Sequence, residues 1–100
     1  MLDETDFHRR ADATLAAILD RLEPRYEAGA LEELELHSGI LTILTDAGRR
    51  FVVSKHAPSR QLWLASPLSG GLHFSVHDNG QWQLSDGREL VSHLLGELTQ

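Results

Sequence analysis

Phe7, Ala11, Leu15, Ile18 and Leu22 recur every three or four residues, which marks one face of an amphipathic helix. Asp3, Glu4 and Asp6 crowd its first turn, where carboxylates oppose the positive end of the helix dipole. Pro24 disfavours helical geometry at Glu23, so the pattern predicts a helix ending near Leu22. The period then changes from 3.6 to 2. Glu33-Leu-Glu-Leu-His37 alternates strictly, Ser38-Gly39 makes a turn, and Ile40 to Thr45 reads as a second strand. Asp46-Ala-Gly48 turns into a third strand from Arg50 to Lys55. Gln61 to Phe74 reads as two more strands joined by a Ser/Pro/Gly loop, and Asp78-Asn-Gly80 is a hairpin signal before a sixth at Gln81-Trp-Gln-Leu84. Asp86-Gly-Arg-Glu89 resembles a capping box, and Val91, Leu94, Leu95 and Leu98 form the apolar stripe of a closing helix.

Hairpin-length connections make the sheet antiparallel, and its leucine-rich face can be covered only by the two terminal helices. The prediction is an α+β two-layer sandwich: an antiparallel sheet of about six strands, with N- and C-terminal helices packed on one face. One hundred residues suffice for a single domain, placed at 1–100. Alternation puts Leu62, Leu64, Leu72, Phe74 and Val76 inward. It leaves Glu33, Glu35, His37, Gln61, Trp63, His73, Ser75, His77, Gln81 and Gln83 on the wet face. An outward tryptophan either anchors a partner or is half covered by its cross-strand neighbours, and pattern leaves both open.

Charge sharpens this picture. Residues 1–37 hold ten Asp/Glu and four Arg, so the formal net charge of −6 lies wholly in the first third of the chain. Nucleic acid is disfavoured, because phosphate binding needs a basic surface. Cations or a basic protein surface fit instead. Cysteine is absent, which excludes disulfides and thiolate ligands. No apolar run reaches the roughly 20 residues of a membrane helix, and the acidic start lacks the order of a signal peptide. A cytoplasmic protein is the expectation. Asp20 and Glu23, opposite the apolar stripe of helix 1, approach Glu33 and Glu35 if the helix packs beside the first strand, forming an acidic ridge. Glu4, His8 and Asp12 occupy one helical row and could jointly ligate a metal; so could His73 and His77. Ser66, Ser69, His73 and Asp78 are the residue types of a hydrolase triad, but no nucleophile elbow surrounds them, and an enzyme is not expected.

Four motifs in order carry a resemblance to the bacterial frataxins: Asp6-Phe-His-Arg9, Gly39-Ile-Leu-Thr-Ile43, Gln61-Leu-Trp-Leu64 and Gly70-Gly-Leu-His-Phe74. It runs from about Asp3 to Leu98 and includes the acidic first helix and first strand. The resemblance implies the same sandwich fold and a role in iron–sulfur cluster assembly, as iron chaperone or regulator of a cysteine desulfurase and its scaffold protein. It implies weak ferrous or ferric iron binding at Asp3, His8, Asp12, Asp20, Glu23, Glu33 and Glu35, with other divalent cations accepted; Glu4 joins them by its place in the helical row. Gln61, Trp63 and His73 are the implied partner-binding residues, and Ser54 stands where asparagine is frequent. Glu27 alone of the residues between Pro24 and Leu31 carries a carboxylate, fewer than many members have there. A monomer is expected, with iron-induced oligomers and weak ferroxidase activity left open. The competing reading is an acidic interaction adaptor, or secretion-chaperone-like module, without a metal role.

Overall fold

The two periods in the sequence become two layers. A computed structural model describes residues 2–100. Helix α1 (Glu4–Glu27) leads into strands β1 (Leu31–His37), β2 (Ile40–Thr45), β3 (Arg50–His56), β4 (Gln61–Ser66), β5 (Gly70–Val76) and β6 (Trp82–Gln83), and helix α2 (Leu90–Leu98) closes the chain. A 3-10 turn, Ala57–Ser59, links β3 to β4. The strands lie side by side in chain order, each antiparallel to its neighbour. Phe7, Ala11, Leu15, Ile18 and Leu22 are all buried, and they meet Leu41, Ile43, Phe51, Val53, Leu62, Leu64 and Phe74 from the sheet. The amphipathic stripe and the strand alternation thus interlock as predicted, with helices on one face only.

Local boundaries differ from the pattern in four places. Helix α1 runs through Pro24 to Glu27 instead of ending near Leu22. Pro24 is exposed in the last turn, where its missing donor leaves one carbonyl that water can reach. The helix stops instead at Gly29, whose φ of +87° permits the closing bonds Gly29 N–H to Tyr26 O (3.1 Å) and Ala30 N–H to Arg25 O (3.0 Å). Strand β1 begins at Leu31, ahead of the alternating run, because the register shifts between Leu31 and Glu33 and lets both Leu31 and Leu34 turn toward the core. Strand β6 is only Trp82–Gln83, since the chain turns back at once through Gly87 (φ +92°).

That turn also moves the helix cap. Glu89, not Asp86, caps α2, its carboxylate accepting from the N–H groups of Val91 (2.7 Å) and Ser92 (3.0 Å). Asp86 accepts from the Arg88 backbone N–H, which holds its carboxyl below the usual carboxylate range. On α2, Leu90 and Leu94 are fully buried, whereas Val91, Leu95 and Leu98 are only half-buried. No helix is long and apolar enough to cross a membrane among the described residues.

Candidate metal-binding ridge and partner face

Helix α1 packs along β1 and reaches over β3, so its acidic side borders the edge of the sheet. Asp3 is its N-cap and accepts from the Asp6 N–H at 2.8 Å, so one of its oxygens already has a structural task. Glu4, His8 and Asp12 do fall on one row, with His8 Nε2 3.7 Å from Glu4 Oε1. The row is not vacant. Lys55, from β3, puts its ammonium 2.8 Å from Asp12 Oδ1 and 3.1 Å from His8 Nδ1.

Further along α1, Asp20 and Glu23 are exposed; among the described residues neither takes part in an ion pair, and Glu35 on β1 is likewise free. Glu33 is half-buried and paired with Arg50 Nη1 at 3.0 Å. Among the described residues, no three His, Asp or Glu side chains converge to hold a metal ion. The ridge is therefore a row of separated oxygen donors on packed neighbouring elements, without a closed cage. Hard oxygen donors of this kind suit hydrated cations that keep most of their water. His73 and His77 do not make a pair: four residues of extended chain separate them by about 13 Å, too far for one ion.

The opposite sheet face carries Trp63. Its ring is sandwiched, with the His56 imidazole at 3.7 Å between centroids and the His73 imidazole at 4.1 Å, both within 12° of parallel. Trp63 is half-buried, and its Nε1–H donates to Gln61 Oε1 at 3.0 Å. Gln61 also donates to Ser75 Oγ. The tryptophan points outward as alternation requires, and cross-strand neighbours cover its two faces while its edge stays accessible. The alternation of β3 and β4 alone does not bring His56 to this tryptophan. Trp63 lies directly opposite Ser54, and His56, two residues on, is its diagonal neighbour on the same face. Beside the sandwich a groove of about 540 Å³ runs between Gln61, His73, His77, Leu84, Asp86 and Arg88.

Ser66 and Ser69 turn away from His73 and Asp78 and meet α2 instead. Ser66 Oγ donates to Glu97 Oε1 at 2.8 Å, and Ser69 Oγ lies 3.1 Å from the same oxygen and 3.2 Å from His93 Nε2. A catalytic triad needs serine and carboxylate on opposite nitrogens of the imidazole; here both address Nε2. The cluster is a buried clasp between α2 and the β4–β5 loop. Glu97 is 7% exposed, so Glu97→Ala strands the serines and His93 and is expected to cost about 1–3 kcal/mol. Equilibrium denaturation checks this; a loss within error of zero would show that water replaces the carboxylate without cost.

Comparison with known proteins fits this geometry. A frataxin-like domain model matches residues 1–100. The iron-sulfur cluster assembly protein CyaY of Pseudomonas fluorescens is 37% identical over 98 residues, covering 97% of this chain and 86% of that protein. The mitochondrial frataxin homolog of Saccharomyces cerevisiae is 38% identical over 95 residues, covering 92% of this chain and 54% of the relative. Among solved structures, trimeric yeast frataxin in a ferrous complex superposes with a TM-score of 0.79 at 36% identity, covering 90% of this chain and 82% of that one. The frataxin of Psychromonas ingrahamii superposes with a TM-score of 0.82 at 22% identity, covering 96% and 88%, and supports the fold alone. With the helices, the sheet order, the acidic first third and these matches in agreement, the chain belongs to the frataxin-like family.

Proposed function

We propose that this protein binds iron weakly on its acidic ridge and acts in cytoplasmic iron–sulfur cluster assembly, as an iron-binding regulator of a cysteine desulfurase and its scaffold. The observation that carries the reading is the ridge: Asp20, Glu23 and Glu35 exposed and unpaired among the described residues, with Glu33 on the same strand as Glu35, in the part of the chain that carries its whole net charge of −6. Iron is cargo in this reading. Separated oxygen donors hold a hydrated ion loosely, exchange it readily and discriminate little between divalent cations. Excess negative charge draws cations, and a basic partner surface, from a distance. Trp63, held at a fixed angle by its two imidazoles and by Gln61, then provides short-range contact on the sheet face. The relatives' names support the assembly role, and the yeast ferrous complex supports the metal. Residues 1–100 act as one domain and as a monomer, with iron-induced oligomers and weak ferroxidase activity toward the cargo left open; no other substrate is turned over. The alternative adaptor reading calls for an apolar wet face; the glutamines and histidines found there disfavour it.

Anaerobic ferrous titration followed by amide shifts tests the ridge. Replacing Asp20 by Asn and Glu23, Glu33 and Glu35 by Gln is expected to remove most iron binding. The fold should persist, with a melting temperature unchanged or slightly raised. Relief of like-charge repulsion favours the variant, and losing the exposed Glu33–Arg50 pair costs only about 0–1 kcal/mol. An unchanged iron stoichiometry in this variant would overturn the proposal.

A further inference from the structure

Lys55 breaks the pattern of its own strand. Phe51 and Val53 point into the core, and Lys55 occupies the next inward position of β3, opposite Leu62 of β4. Its side chain is only 18% exposed. The stem crosses Gly39 so closely that a Cβ there would lie 2.5 Å from Lys55 Cε. The chain thus leaves a channel for this side chain, which snorkels along apolar surface to deliver its charge under α1. An ammonium can only donate, so its contact at His8 Nδ1 places the imidazole lone pair on that nitrogen and the ring proton on Nε2, toward Glu4. The lone pair that a metal would use is therefore already engaged, and so is one oxygen of Asp12.

We infer that Lys55 is a tethered competitor for metal at the His8 Nδ1–Asp12 pair of this row, Glu4 facing the other ring nitrogen: a divalent cation binds there only when the ammonium swings out. The inference rests on the metal-binding reading above and assigns that row a built-in limit on its affinity. Metal and ammonium need the same acceptors, and tethering keeps the lysine at high local concentration whatever the solution contains. The apparent affinity of the row falls with the fraction of time that the lysine is docked. Cations should accordingly favour the ridge, where Arg50 occupies Glu33 but Asp20, Glu23 and Glu35 have no ion-pair partner among the described residues, and fill the row later.

Zinc ion alone serves as the probe, with His8 ring resonances reporting the row and amide resonances reporting the ridge. Lys55→Met keeps an unbranched stem in the channel and removes the ammonium. It is expected to tighten zinc binding at His8 by about tenfold, equivalent to about 1.4 kcal/mol, while the ridge midpoint stays as in the wild type. Arg9→Gln removes one positive charge from the same helix without touching His8; a purely long-range effect of that kind should be about threefold or less. His8→Ala added to Lys55→Met should erase the gain. Equal midpoints at His8 in wild type and Lys55→Met, or equal gains in Lys55→Met and Arg9→Gln, would overturn the inference and leave ridge binding intact. Zinc response at neither locus in any of these proteins would overturn both readings. Should Lys55→Met fail to fold, Lys55→Gln carries the same comparison.

Discussion

Leu94→Ala is expected to lower the free energy of unfolding by about 2–5 kcal/mol. Leu94 is fully buried, and with Leu90 it anchors a helix of nine residues. A helix that short has little stability of its own, so tertiary contact holds it in place. Cutting the isobutyl side chain back to a methyl forfeits transfer free energy and leaves a void that the strands beneath cannot wholly close. Domains of this size are stable by only about 5–15 kcal/mol, so the variant should lose a large share of its stability. Leu98 bears on the same point. The apolar stripe places it beside Leu94, yet it is half-buried, and Leu98→Ala should cost clearly less. Chemical denaturation of both variants checks the difference. Equal losses would mean that the last turn of α2 is as deeply packed as its middle.

Under the proposed function, Trp63→Ala should weaken binding to the proposed desulfurase–scaffold partner by about tenfold or more, as truncation of an interface tryptophan often does, chiefly through faster dissociation. It should also cost about 1–3 kcal/mol of stability, because each aromatic stack contributes roughly 0.5–1.5 kcal/mol and this ring makes two. The two effects separate when affinity is measured on the folded fraction. Trp63→Phe keeps a flat ring between the imidazoles but loses the Nε1–H bond to Gln61, so it should recover most of the stability and less of the affinity. The ferrous titration should not change in either variant. Normal partner affinity in folded Trp63→Ala would assign the indole to bracing the sheet.

Several features that mattered for the site lay in plain view along the chain. Gly29, three residues after Tyr26, is the stop signal of α1, a stronger one than Pro24, which the last turn of a helix tolerates. The Glu89 cap was harder to read, because it depends on how Gly87 redirects the chain after β6. His56 became a neighbour of Trp63 only through the β3–β4 register. A diagonal contact cannot be read until that register is known.

Side-chain direction follows from local backbone geometry, and charge from residue identity. The order of residue types therefore specifies the α+β sandwich, the buried stripe from Phe7 to Leu22, the outward face of Trp63 and the acidic first third. What charged groups touch is set by chain segments far apart in sequence. Tertiary structure alone decided that Lys55 fills the Glu4–His8–Asp12 row, that Glu97 lies buried among serines and His93, and that the ridge carboxylates stand apart rather than converge. The reason is physical: a periodic pattern reports which way a side chain points, whereas a contact depends on the packing distance between elements, which no local period encodes.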